Sequence, residues 1–253
     1  MKKLTVTAML IGMFALLITY GFTTTAVAEQ ISGVDIGVKQ WKIMTYLPKD
    51  DYTVPYALPV KPIANKDVAF DFYPTPDRAV LIAELPPSRK KSNPGDFTGK
   101  TINAFIAIEA TDGATFNYYN TGGTRLANVR LYFQRVNGSG DTGVECPSGW
   151  HPERPDCEAQ YWWSNPESIN LEDLAAMGAD GDILEAVLDP ALWSDRDGHR
   201  GNYDSNHLRW FADAVAHVGK VGLSFGGGNN FAFGCGVDEP STATFMLYSY
   251  EVY

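Results

Sequence analysis

The sequence predicts an all-β protein, a jelly-roll-like antiparallel β-sandwich with one short helix at about 205–218. Three observations carry that expectation. The closing stretch from Lys220 to Tyr253, KVGLSFGGGNNFAFGCGVDEPSTATFMLYSYEVY, reads as strand, glycine-asparagine loop, strand, turn and long final strand. Leu126 to Gln134 contains a strict alternation, with Val129, Leu131 and Phe133 facing one way and Arg130, Tyr132 and Gln134 the other, the two-residue period of a half-buried strand. Against these strands stands one segment with convincing helical spacing.

The first 28 residues begin with Lys2 and Lys3, run apolar from Met9 to Leu17 and end in Ala26-Val27-Ala28. That layout is a secretory signal peptide cleaved before Glu29. Its apolar core is short for a retained span, so the mature chain is expected to be secreted or periplasmic, with no integral membrane segment after cleavage. Residues 29–253 fit one sandwich domain, since no linker divides them. Nine of the 15 prolines lie between Pro48 and Pro94. Proline supplies no ladder donor, so this proline-rich part (about 48–95) is expected to form edge strands and ordered loops around two strand-like runs, Val68 to Tyr73 and Val80 to Leu85.

Further strands are expected at Ile102 to Glu109, Thr115 to Tyr119, Tyr161 to Ser164 and Ile183 to Leu188. The helix has Asp204 and Ser205 as N-cap oxygens, Leu208, Phe211, Ala212, Val215 and Val218 at helical spacing, and Gly219 as its stop. It reads as a packing element over an open end of the sandwich, with His207 and His217 solvated or capping rather than ligating.

The formal charge is −10, and removal of Lys2 and Lys3 with the leader takes it to −12. Nucleic acid and anionic membrane surfaces require clustered Lys and Arg, so neither is an expected partner. Cys146 and Cys157 bracket a loop with three prolines, and a disulfide between them would staple a segment with no core of its own. Spacing leaves other pairings open. Cys235 is then the odd cysteine, either a small buried apolar residue in its alternating run or the site of an intermolecular bridge.

Several constellations invite a functional reading. Trp162, Trp163 and Trp193 suggest a surface on which sugar rings stack, with Arg130, Tyr132 and Gln134 to bind hydroxyls. Neighbours on a strand point to opposite faces, so Trp162 and Trp163 cannot share one environment. Asn229 and Asn230 tip the glycine loop, where their amides either bind a ligand or close the turn. That loop lacks the Lys-Ser/Thr and helix start of a phosphate cradle. Asp195 and Asp197 resemble part of a calcium loop, without its regular odd-position oxygens and closing Glu. No nucleophile elbow, zinc-protease helix or singled-out carboxylate pair is present, so no catalytic residue is assigned.

Taken together, LYFQ at Leu131 to Gln134, YWWS at Tyr161 to Ser164, LDPALWSDRDG at Leu188 to Gly198, and the helix running into VGLSFGGG and FAFGCGV resemble secreted bacterial jelly-roll domains of the galactose-binding-like and carbohydrate-binding-module-like kind. The resemblance covers roughly residues 100 to 253. It implies glycan binding through exposed aromatics, with Trp162 or Trp163 and Trp193 in that role, and a structural calcium at Asp195 and Asp197. The expected function is therefore non-catalytic recognition of extracellular or cell-surface glycans. An alternative is a structural or interaction protein of the envelope or matrix, self-associating through Cys235 or a sheet edge such as Thr242 to Val252. A glycoside hydrolase or lyase is the third reading.

Overall fold

The computed structural model describes residues 29–30, 41–47, 52–54, 61–62, 67–74, 79–85, 95–118, 125–135, 161–195, 198–227 and 234–253. The expected leader (1–28), Cys146, Cys157, Asp197 and the Asn229-Asn230 tip lie outside the described residues. Within them the chain is the expected all-β sandwich of two antiparallel sheets. With strands numbered in chain order, the first sheet runs β13 (Asp182–Val187), β7 (Thr101–Ala110), β17 (Ala243–Val252), β5 (Val68–Asp71) and β4 (Lys61–Pro62), and β1 (Glu29–Gln30) also pairs with β17. The second runs β14 (Trp193–Ser194), β11 (Tyr161–Ser164), β10 (Asn128–Arg135), β15 (Val218–Gly226), β6 (Ala79–Leu85), β16 (Cys235–Val237), β8 (Phe116–Tyr118) and β9 (Arg125–Leu126). β12 (Ile169–Asn170) joins β10, β2 (Lys42–Leu47) joins β6, and β3 (Tyr52–Val54) joins β2.

Register explains the sandwich. β10 meets β15 with Val129 opposite Phe225, Leu131 opposite Leu223 and Phe133 opposite Val221, so one face of the second sheet is continuously apolar. β7 turns Ile102, Ala104, Ile106 and Ile108 toward that face, all fully buried. Between the sheets Phe70 lies 5.2 Å from Phe245, and Phe225 meets Phe245 edge-on at 5.1 Å, the offset geometry that aromatic quadrupoles favour. β17 pairs with β7 along its length and, on its other side, with β5 at Thr244–Leu247 and with β1 at Glu251 and Val252, so the long closing strand is a central strand, not the sheet edge expected for self-pairing.

β17 also carries a bulge. Its pairing to β7 shifts between Leu247 and Ser249, and the extra residue inverts the alternation. Phe245 and Leu247 face the core before the bulge; Tyr250 and Val252 face it after. Tyr250 reaches across and donates its hydroxyl to the Gly222 carbonyl of β15 at 3.3 Å, a cross-sheet bond at the centre of the protein. Burial there pushes the Tyr250 phenol far above its ordinary pKa.

Among the described residues two α-helices accompany the strands. α1 (Leu171–Met177), which the sequence reading did not include, is started by Asn170, whose Oδ1 accepts from Glu172 N at 2.8 Å and Asp173 N at 3.2 Å. α2 (Ser205–Ala216) is the expected helix, and Asp204 caps it by accepting from the backbone N–H groups of Asn206 and His207. Its inward stripe differs from expectation. His207, Phe211, Ala214 and Val215 are buried, while Leu208 is 48% exposed and Ala212 is also exposed. The stripe is rotated because Phe211 inserts between Trp162 (5.0 Å) and Phe133 (5.9 Å), and the side chain one turn earlier on that face is His207, not Leu208.

Gly181 connects α1 to β13 at φ +60°, and a Cβ there would meet the Ile106 carbonyl oxygen at 2.4 Å. Gly178 has the same φ with open space around it. Gly178→Ala is therefore expected to cost about 1 kcal/mol from backbone strain alone, and Gly181→Ala at least about 2 kcal/mol more, as read by urea denaturation.

Candidate functional site: a buried polar and aromatic face

The second sheet has another face, and alternation determines what occupies it. If Val129, Leu131 and Phe133 face the core, Arg130, Tyr132 and Gln134 must face away from it. The same parity splits the tryptophan pair: Trp162 packs in the main core against Phe211, and Trp163 joins Tyr132 and Tyr161 in a separate cluster. Tyr132 is directly opposite Trp163 on one side and Gly222 on the other. The Tyr132 and Trp163 rings lie 6.4 Å apart, and Tyr161 stacks on both, at 6.0 Å and 6.4 Å. The Tyr132 hydroxyl donates to Gln134 Oε1 at 3.1 Å.

Four of the expected contact residues, Arg130, Tyr132, Gln134 and Trp163, thus share one face. The expectation of a solvated stripe and open rings is not met, because they are 7%, 0%, 3% and 6% exposed respectively. Ser224, opposite Arg130 on β15, is completely buried as well. Desolvation lowers the Arg130 guanidinium to about 10, and the nearby Glu167 carboxylate acts in the opposite direction. Trp163 Nε1 and Ser224 Oγ are buried with no hydrogen-bond partner among the described residues. Buried polar atoms are nearly always paired, and Trp162 Nε1 on the core side of β11 is a further unpaired one, so what distinguishes the outer face is its polar and aromatic composition.

The other expected residues separate from this face. Trp193 is fully buried on the core side, edge-on to Phe133 at 5.0 Å, and its Nε1 donates to the Val187 carbonyl at 2.8 Å. Its indole is a structural member of the core and presents no stacking surface. Asp195 closes the turn after β14, its Oδ1 accepting from His199 N at 2.8 Å. Two side chains not assigned as ligands adjoin it: Asp195 Oδ2 lies 3.4 Å from His207 Nε2 and 3.8 Å from His199 Nδ1. The alternating Asp195-Arg196-Asp197 carboxylates drew the sequence reading toward a hard cation, whereas the histidines are four and twelve residues further on and meet Asp195 only through the turn and α2.

No family model, curated protein or solved structure matches the chain. The geometry therefore supplies the functional evidence. Among the described residues no helix is long and apolar enough to cross a membrane.

Cys235 is a free thiol with no exposed surface, in register with Val80 and Tyr118, and burial raises its thiol far above the ordinary range. An intermolecular bridge requires an accessible thiolate, so Cys235 belongs to the core and not to an interface. In a Cys146→Ser, Cys157→Ser background, native protein at pH 8 is expected to leave Cys235 unlabelled by a thiol reagent, with full labelling in denaturant. Rapid native labelling would place the sulfur at the surface.

Proposed function

We propose that the protein is an exported, non-catalytic binding domain that recognises glycans with the outer face of β10, β11 and β15. The observation that carries the reading is the composition of that face. Tyr132, Trp163 and Tyr161 supply stacked rings, Arg130 and Gln134 supply hydrogen-bonding groups, and Trp163 Nε1 and Ser224 Oγ are donors without a partner among the described residues. Sugar hydroxyls satisfy such donors while the C–H faces of the ring pack on aromatics. Tyr161 is only partly buried and forms the rim from which a ligand would approach. The leader at 1–28 supports export to a compartment where glycans are met.

The near-complete burial of Tyr132 and Trp163 favours a second reading from another class. There the face is a packing surface, and the protein is a structural or interaction component of the envelope or matrix. The two readings differ in what Trp163→Ala does. Under the first, a glycan array gives a defined set of ligands, and the substitution abolishes their binding while the protein still folds. Under the second, the array is blank, and Trp163→Ala only lowers stability, by about 3–5 kcal/mol for a buried indole. A blank array with wild-type protein removes the glycan reading.

A further inference from the structure

The turn after β14 and the first turn of α2 bring Asp195, His199 and His207 together, with one ligand atom from each within 4.8 Å of the others. Each is positioned by its own backbone. Asp195 and His199 close the turn with a backbone bond from Asp195 N to His199 O at 2.9 Å, besides the bond to Oδ1, so Oδ2 is the oxygen turned to the histidines. His207 is three residues past the helix cap and only 9% exposed. The Tyr203 ring lies 4.4 Å from His199 and the Trp210 ring 4.8 Å from His207, bracketing the two imidazoles.

Asp204 determines which nitrogen of His207 is available. His207 Nδ1 lies 2.7 Å from Asp204 Oδ1, the oxygen that also accepts from the backbone N–H groups of Asn206 and His207. That oxygen acts as an acceptor throughout, so Nδ1 is the nitrogen turned to it as donor and Nε2 is left for a ligand. Nε2 faces Asp195 Oδ2 at 3.4 Å. A nitrogen and a carboxylate oxygen that converge in this way can share one cation. The separation is longer than an ordinary N–H···O bond and close to the roughly 3.3 Å between two ligands of one tetrahedral metal with bonds of about 2.0–2.1 Å. A carboxylate holding the far nitrogen of a ligating histidine is the usual support of such a centre.

We propose that Asp195, His199 and His207 bind one divalent transition-metal ion of the zinc class, with Asp204 as the positioning residue for His207. Two imidazoles and one carboxylate suit zinc, cobalt, nickel or copper, whereas calcium takes six to eight oxygens. The described cation nearest in sequence, Arg200, gives its guanidinium to the Asn165 and Ala191 carbonyls. Three protein ligands leave a fourth position for water or an external group. The site is independent of the glycan face, because it uses none of that face's side chains.

The test is titration of chelator-stripped protein with zinc and with cobalt, followed by calorimetry, cobalt absorption and melting temperature. One equivalent should bind with a tetrahedral cobalt spectrum and a raised melting temperature, and excess calcium should not displace it. His199→Ala, at a half-exposed side chain, should keep the native circular dichroism and lose about 100-fold or more in affinity, and Asp204→Asn should lose about 10–100-fold. Absence of binding to wild-type protein, or unchanged stoichiometry and affinity in folded His199→Ala, overturns the proposal. Equal displacement by calcium overturns it too.

Discussion

β10 buries both of its faces, and the two faces require opposite chemistry. A strand offers one side chain per residue, alternating in direction, so eight residues must furnish an apolar surface for the sandwich and a polar, aromatic one behind it. Val129, Leu131 and Phe133 meet the first requirement by pairing with apolar residues of β15. Arg130, Tyr132 and Gln134 meet the second. Neither set can slip by a residue without exchanging places with the other, so the strand's register is fixed from both sides at once. β11 and β15 inherit the same division, which is why Trp162 and Trp163 lie in different environments and why Gly222 and Ser224 are small where the aromatic cluster stands.

What could be read from the chain follows from how local the determining interactions are. Alternation on β10 and the cap at Asp204 are local patterns, and both appear in the structure where the sequence indicates them. Parity also separates Trp162 from Trp163 before any coordinates are known. Burial of the outer face is not local, because whether Arg130 or Trp163 meets water depends on what else lies over the sheet. Trp193 illustrates this: an indole in a polar stretch, LWSDRDG, looks exposed, yet its nitrogen finds the Val187 carbonyl and its ring finds Phe133. The rotation of α2 has a similar origin. Leu208 and His207 are neighbours in sequence, and hydropathy favours leucine as the inward residue. Phe211 instead decides the helix face, and His207 follows it inward, where Asp204 and Asp195 supply polar partners. α1 was missed because its signal, Asn170 followed by Leu171, Leu174 and Gly178, spans only two turns.

Asp204 has two tasks that reinforce each other. As an N-cap it accepts from the backbone, and as a partner of the His207 ring it orients the imidazole of the residue whose N–H it already holds. One carboxylate oxygen therefore fixes both the start of the helix and the direction of a side chain three residues on. The cap and the histidine cluster are consequently one unit, and a substitution at either is felt by the other.

The central position of β17 has a consequence for how the protein reaches this state. β5 and β7 do not pair with each other; each pairs with β17, where Phe245 stands between Phe70 and Ile108. Both strands precede β17 by more than a hundred residues, so during vectorial synthesis each emerges with the edge facing β17 unpaired. β4 can pair with β5 and β13 with β7 beforehand, but joining these pairs into one sheet is a late, long-range event. Until β17 arrives, the edges of β5 and β7 that it will occupy are open templates for mispairing.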